Sequence, residues 1–289
     1  MTVIAAIAGA AGIILDKIIL SYQKVGHRQL IIILFVFLFL LSALFYPWFG
    51  KINLEALRPE YLFLLFLVVL IASIYNVLYY HGVEKEKIAE VELITMLTPL
   101  STIVIASIFL QAERHTHVLI AGLIASLTLI FAHIKRRHLS FDVFQKGLII
   151  YLLLYPIEAI LLKSLLSIYS PLAMYMVRTF FILIFLSTWF YFVSPYFKIE
   201  TKLSFHGWKA KNYYTALIIA ALAVVQMVFI YWAYADFGIV YTTIILTLMP
   251  ILVYLGSVTI LKERVQRRVL VAALVILGCI VYAHISQGK

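Results

Sequence analysis

The segment VLIAGLIASLTLIFAHI, residues 118–134, is closely matched by VLVAALVILGCIVYAHI, residues 269–285. Both segments are apolar and contain no Asp, Glu, Lys or Arg. A helix crosses the hydrocarbon core of a bilayer with about 20 apolar residues, so each segment predicts one transmembrane helix. The pair therefore indicates a membrane protein that contains an internal duplication.

The composition of the whole chain excludes an ordinary water-soluble protein. Hydrophobic residues make up 65% and charged residues 12% of the 289 residues, whereas soluble domains have about 45–50% and about 25%. The net charge is +10, but the basic residues lie in short loops between apolar runs. We therefore expect them to set topology and to bind anionic lipid headgroups, not nucleic acid. The one cysteine, Cys279, lies in an apolar run and is expected to be a packing residue.

Long apolar runs predict ten transmembrane helices. Their ranges are 2–22, 29–46, 60–81, 91–111, 116–134, 146–167, 171–194, 212–234, 237–261 and 267–286. The runs are continuous, whereas a membrane β-barrel needs alternating segments of about ten residues. The N-terminus lacks the basic region of a cleaved signal peptide, so the first run is expected to be a retained span. The predicted fold class is an all-α membrane protein.

The duplication extends beyond the two quoted segments, which are 151 residues apart. The other matched positions are Pro99 and Pro250, Tyr80 and Tyr231, and, with a one-residue gap, Glu113-Arg114 and Glu263-Arg264. We therefore predict two related five-helix units, residues 1–138 and 139–289. An odd number of helices per unit forces the two units to cross the membrane in opposite directions, which is typical of secondary transporters.

Loop charges predict the orientation of the chain. Loops after odd-numbered spans contain sixteen Lys and Arg residues, whereas the remaining loops and the termini contain four. By the positive-inside rule, the odd-numbered loops face the cytoplasm and both termini lie outside.

The doubled pattern resembles the ten-helix EamA-type members of the drug/metabolite transporter superfamily. The first half contains Tyr80-His-Gly-Val, Pro99, Glu113-Arg114 and Gly122; the second contains Tyr231-Trp-Ala-Tyr, Pro250, Glu263-Arg264 and, in place of the glycine, Ala273. The seventh span also fits, with Pro171-Leu-Ala and Arg178, although the second span has no matching arginine. The resemblance implies a secondary transporter or exporter with a central cavity between the halves. The superfamily handles amino acids, nucleotide precursors, sugars and drugs, so it does not fix the substrate.

Ionisable residues inside predicted spans are costly and are therefore functional candidates. Glu158, which follows Pro156, is interpreted as a coupling carboxylate or substrate contact, or as the ion-pair partner of Lys163 or Lys17. Both lysines lie near helix ends, where extension towards the headgroups is the simpler interpretation. Arg178 is expected either to bind an anionic substrate or, preferably, to pair with an acidic side chain. Asp16 precedes Lys17 directly, so the two side chains point to different helix faces.

Further candidates lie on the third, fourth and eighth predicted spans, and Tyr75, Asn76 and Tyr79 of the third span share a helix face. Those predicted to line the substrate site, in addition to Glu158 and Arg178, are Tyr75, Asn76, Tyr79, Glu92, Gln226, Tyr231 and Trp232. An aromatic cavity with a few amides suits small amphipathic substrates, while an interfacial aromatic belt is the alternative. Pro99 and Pro250 are predicted to kink their helices, either as gates or as plain structural bends. Glu113 and Glu263 are expected to form turn or inter-unit salt bridges.

These features favour a secondary transporter in the cell membrane that moves a small metabolite by alternating access, with proton coupling as one option. The alternatives are an integral-membrane enzyme and a lipid-handling or flippase-type protein. The sequence contains no phosphate-binding loop, zinc pattern or nucleophile elbow, so we predict no enzyme activity, cofactor or metal. The expected partners are the substrate and membrane lipids, and the expected state is a monomer or weak homodimer.

Overall fold

The computed structural model of the chain describes residues 1–22, 25–85, 97–133, 143–193, 208–261 and 267–287. Their regular structure is helical, apart from one antiparallel bridge between Ile52 and Tyr169. The helices are α1 (Thr2–Lys17), α2 (His27–Phe49), α3 (Pro59–Lys85), α4 (Thr98–Phe109), α5 (Thr116–His133), α6 (Val143–Leu165), α7 (Pro171–Thr188), α8 (Ala210–Phe237), α9 (Ile239–Leu246), α10 (Leu248–Leu261) and α11 (Arg267–Gln287). Short π-helical turns, Ile18–Tyr22 and Trp189–Val193, extend α1 and α7.

Seven helical stretches of the described chain are long and apolar enough to cross a membrane. They are Thr2–Leu20, His27–Phe49, Pro59–His81, Pro171–Tyr191, Ala210–Phe237, Ile239–Gly256 and Arg268–Ser286. The helices α4, α5 and α6 lie where the other three spans were predicted. These apolar helices confirm the prediction of an all-α membrane protein. Helices suit lipid because each one satisfies its own backbone hydrogen bonds.

Large apolar side chains cover the outside of the bundle, whereas small residues allow close contacts within it. Leu274, Phe131 and Trp48 are among the exposed apolar residues, as expected where lipid replaces water. At Gly9 of α1, an added Cβ would lie 2.5 Å from Sδ of Met249 and 2.6 Å from Nε2 of Gln226. Gly9 therefore allows α1 to pack directly against α8 and α10.

Pro99 and Pro250, which match in the sequence, both lie in the first turn of a described helix. Pro250 is the third residue of α10, which a turn at Thr247 separates from α9. Because proline has no N–H to donate, the carbonyl four residues before it receives no helical hydrogen bond from it. Pro99 is the second residue of α4, where a missing N–H disrupts no helical bond. A turn thus precedes Pro250 in the described chain, whereas residues 86–96, before α4, lie outside the described ranges. Kinking or gating at either proline stays a prediction.

Two pairs of helices run antiparallel and meet at one end of the bundle. The N–H of Ser170, just before α7, donates to the carbonyl of Lys51, just after α2, at 2.9 Å. His117, at the start of α5, has Nδ1 3.0 Å from the hydroxyl of Tyr282, near the end of α11. Ser170 also caps α7 and is followed by a proline, which suits the first helical position. These contacts join the end of α2 to the start of α7, and the start of α5 to the end of α11.

Candidate functional site

A buried ion pair joins α6 and α7 inside the bundle. Nε of Arg178 donates to Oε1 of Glu158 at 2.8 Å, and the two residues are 3% and 2% exposed. Nη2 of Arg178 donates to the hydroxyl of Tyr75 on α3. The acidic partner preferred for Arg178 is thus observed. The partner of Glu158 is Arg178 and not Lys163, because Lys163 lies against a different carboxylate.

Tyrosine rings from α3 and α6 surround the ion pair. The centroid of the Tyr75 ring lies 5.6 Å from that of Tyr151 and 5.8 Å from that of Tyr155. The Tyr79 ring lies 5.5 Å from Tyr151. Tyr151, Tyr155 and Glu158 were not grouped as one surface from the sequence, although spacings of four and three residues place them on one helix face. The structure therefore adds Tyr151 and Tyr155 to the candidate site.

Tyr231 of α8 approaches the same region from the second half of the chain. Its ring lies 5.9 Å from that of Tyr175 on α7, and the residue is 1% exposed. Its hydroxyl has no hydrogen-bond partner among the described residues. Tyr175 lies three residues before Arg178, on the same face of α7, so its contact places Tyr231 next to the ion pair. Since buried polar groups are nearly always hydrogen-bonded, an unpaired hydroxyl beside an ion pair is suited to contact a ligand.

The other candidates occupy separate places. Nδ2 of Asn76 donates to the carbonyl of Ala72 within α3. Nε2 of Gln226 lies 3.6 Å from Sδ of Met249, at the contact of α8 with α10. Trp232 is 37% exposed and stacks on Phe229. Glu92 lies outside the described residues.

A second polar cluster, here called the end latch, consists of Glu113, Lys163 and the backbone N–H of Val240. Nζ of Lys163 forms an ion pair with Oε1 of Glu113, while the N–H of Val240 donates to Oε2 at 2.8 Å. Glu113 is buried. A carboxylate placed at the first turn of α9 satisfies a free N–H and interacts favourably with the helix dipole. The latch thus joins the turn between α4 and α5 to α6 and α9.

The end latch corrects one expectation and fits another. Lys163 was expected to extend towards headgroups, but it is 28% exposed and bonded to Glu113. Turn or inter-unit salt bridges were expected for Glu113 and Glu263: Glu113 forms a salt bridge, with Lys163, and Glu263 lies outside the described residues. Gly238 precedes α9 with φ +86°, and an added Cβ there would lie 2.8 Å from Cδ of Glu113. Glycine at this position permits both the backbone conformation and the close approach of the carboxylate.

The loop contacts close to Ser170 strengthen the same end of the bundle. The N–H of Asn53 donates to the carbonyl of Ile168 at 3.0 Å, beside the Ile52–Tyr169 bridge. Burial in this contact raises the pKa of the Tyr169 hydroxyl above its ordinary value.

Asp16 is a third buried acidic side chain, near the end of α1. It is 9% exposed, and its Oδ1 atom has no hydrogen-bond partner among the described residues. Asp16 interacts electrostatically with Tyr80 of α3. Asp16 therefore differs from Glu158 and Glu113, each of which is paired with a cationic side chain.

Among the described residues, one groove on the bundle surface is entirely apolar. A groove of roughly 290 Å³ on the bundle surface is lined by Phe39, Met176, Val177, Phe180 and Phe181. These side chains are all apolar and suit lipid chains. Within the described ranges, no three His, Cys, Asp or Glu side chains lie close enough together to hold a metal ion.

The chain is similar in sequence to one transporter family over its first half, and its fold is similar to that of solved structures over nearly its whole length. Residues 1–135 match the EamA-like transporter family. A solved protein crystal structure has 17% sequence identity and a TM-score of 0.66, over 97% of this chain and 96% of the other. At that identity the likeness shows the fold alone. No curated protein matches the sequence.

Proposed function

We propose that this chain, which belongs to the drug/metabolite transporter superfamily through its EamA-like first half, is a secondary active transporter of a small metabolite. Its substrate site is the cluster of Glu158, Arg178, Tyr75 and Tyr231, and its location is the cell membrane. The substrate is an amino-acid-like, nucleotide-precursor or amphipathic compound. The observation that carries the proposal is the buried ion pair within a wall of tyrosines.

The ion pair supports a binding role because hydrophobic side chains would pack the same volume at lower cost. Desolvation of two charges in a low-dielectric interior offsets much of their attraction, so a buried pair is weak evidence for stability alone. In membrane spans such groups usually face a substrate or ion pathway. Arg178 has five N–H donors, of which Glu158 and Tyr75 receive two. The guanidinium therefore retains donors for a polar group of the substrate.

Helix contacts support two inverted units and a transport cycle by alternating access. If α1–α5 correspond to α6–α11, with α9 and α10 as one interrupted span, the contact of α3 with α6 corresponds to that of α8 with α1. Both contacts are extensive. The same correspondence exchanges α2 with α7 and α5 with α11. The contact within each of these two pairs therefore maps onto itself. The antiparallel course of these last two pairs is what an inverted repeat requires.

Alternating access assigns a role to the end latch and to the Ile52–Tyr169 bridge. Both connect residues of 1–138 with residues of 139–289 at one end of the bundle. A substrate can pass that end only when these contacts separate. We propose that they close one side of the cycle.

The first test identifies a substrate and then removes one hydroxyl. A thermal-shift screen of purified protein against metabolites selects a stabilising compound, because a ligand that binds the folded state raises its stability. Counterflow of that radiolabelled compound is then measured in proteoliposomes. Tyr75→Phe keeps the ion pair and ring but is expected to weaken binding, while Glu158→Gln is expected to abolish transport. Glu60→Gln, at an exposed side chain, serves as the control.

The outcomes of this screen are decisive for the site. Wild-type flux in folded Tyr75→Phe and Glu158→Gln proteins would exclude the cluster from the transport pathway. Absence of any stabilising compound or flux across the metabolite panel would count against the transporter itself.

The second test locks one end of the bundle. Replacing Cys279 with serine gives a cysteine-free background, into which Ile52→Cys and Tyr169→Cys are introduced together. Cα atoms of bridged antiparallel residues are about 4.5–5.5 Å apart, within the range that a disulfide spans. Oxidation is expected to stop counterflow, and reduction to restore it. The control pair Glu55→Cys and Arg58→Cys lies within the first half and is expected to leave flux unchanged. Full activity of the oxidised protein with Ile52→Cys and Tyr169→Cys would refute alternating access at this end.

A further inference from the structure

A continuous series of tyrosines extends from Tyr80, on the α3 side that interacts electrostatically with Asp16, to the Glu158–Arg178 pair. The aromatic passage consists of Tyr80, Tyr79, Tyr151, Tyr155 and Tyr75. Ring centroids are 5.2 Å apart between Tyr80 and Tyr79, 5.5 Å between Tyr79 and Tyr151, and 5.6 Å between Tyr151 and Tyr75. Tyr75 bonds to Arg178 at one end of the passage. At the other end, Tyr80 interacts with Asp16, where the π-helical turn after α1 contacts α3.

The two carboxyl groups at the ends of this passage are in different electrostatic situations. The negative charge of Glu158 is compensated by Arg178 at 2.8 Å. Oδ1 of Asp16 receives no hydrogen bond from any described donor. An ionised carboxylate is costly in such surroundings, whereas a protonated carboxyl carries no net charge. Asp16 can therefore change its charge without breaking an ion pair in the described structure, whereas Glu158 cannot.

No salt bridge is observed between Asp16 and a cationic side chain of the described residues. On α3, the interacting titratable side chain is Tyr80. The helices α8, α9 and α10 also pack on α1, and none of their described side chains hydrogen-bonds to Oδ1. On α1 itself, the side chain of the next residue, Lys17, lies outside those that the structure describes.

We infer that Asp16 is the site at which the transporter loads and releases a proton, and that the aromatic passage links this site to the substrate cluster. This inference rests on the proposed function. Loading converts the Asp16 carboxylate and a proton from water to a neutral carboxyl, and release reverses that step. Glu158 and Arg178 remain charged throughout and serve the substrate.

A carbodiimide probe tests the proton site without a known substrate. Only a protonated carboxyl adds to N,N′-dicyclohexylcarbodiimide: its proton goes to nitrogen and its oxygen bonds to the central carbon, and the adduct rearranges to a stable N-acylurea. Purified protein in lipid nanodiscs is treated across a pH series and mapped by peptide mass spectrometry. We expect modification of Asp16 that declines as pH rises, with Glu158 unmodified. Asp236→Asn, at an exposed residue of α8, is the control and should leave modification of Asp16 unchanged.

A flux measurement separates coupling from structure. With the compound selected by thermal shift, Asp16→Asn is expected to retain counterflow, which needs no net proton movement, and to lose accumulation driven by a pH gradient. Asp16→Glu is expected to retain both. Equal loss of both activities in Asp16→Asn, or modification of Glu158 in place of Asp16, would overturn the inference while leaving the transporter proposal intact. Loss of counterflow in Glu158→Gln but not in Asp16→Asn supports both.

Discussion

A double-mutant cycle on Glu158 and Arg178 tests how strongly the buried pair is coupled. The perturbations are Glu158→Gln, Arg178→Gln and their combination. Each single change leaves one charge without its partner, 2.8 Å away in an interior where both residues are almost fully buried. Breaking a buried pair in this way costs about 3–5 kcal/mol. Arg178→Gln also removes the donor to Tyr75, worth about 1 kcal/mol.

The double variant contains no uncompensated charge, and its two amides can bond to each other. We therefore expect it to be destabilised by far less than the sum of the single changes, with a coupling free energy of about 3 kcal/mol. The assay is reversible unfolding from mixed micelles by added SDS, followed by circular dichroism. The matched control is the cycle Glu55→Gln and Arg58→Gln, whose 3.1 Å pair is 44% and 56% exposed.

The control cycle on Glu55 and Arg58 is expected to give a coupling free energy of about 0.5 kcal/mol or less. Each of these exposed charges is well solvated by water when the other is removed. If the buried cycle gave no more coupling than this surface pair, the interpretation of Glu158 and Arg178 as a desolvated, mutually dependent pair would be wrong. Their assignment to the substrate cluster would then lose its physical basis.

Three further predictions concern the closed end of the bundle, each measured as a change in the free energy of unfolding. Gly238→Ala is expected to destabilise by about 1–3 kcal/mol, because alanine is strained at φ +86° and its Cβ would press on Glu113; an unchanged stability would contradict this. Lys163→Gln is expected to cost about 1.5–3 kcal/mol, since Glu113 loses its charged hydrogen-bond partner, and a headgroup-facing lysine would cost almost nothing. Ser170→Ala is expected to cost about 1 kcal/mol through loss of the α7 cap and the bond from the Lys51 N–H, whereas a neutral effect would refute the capping role.

The sequence by itself determined the membrane class and most helix positions. Apolar runs long enough to cross lipid leave few alternatives, because each backbone polar group in hydrocarbon must be satisfied within its own helix. The match between residues 118–134 and 269–285 also indicated a duplication. Even the tyrosine wall has a partial sequence signal, since Tyr151, Tyr155 and Glu158 recur at helical spacing.

Only the tertiary structure decided which polar groups meet. Glu158 pairs with Arg178, twenty residues later, and Arg178 also reaches Tyr75, 103 residues earlier. Lys163 lies closer in sequence to Glu158 but bonds to Glu113, fifty residues away. A hydropathy pattern places a helix along the membrane normal but does not fix its rotation or its neighbours in so uniformly apolar a chain. Those two quantities determine whether a buried charge is paired, as in Glu158, or left without a described cation, as in Asp16.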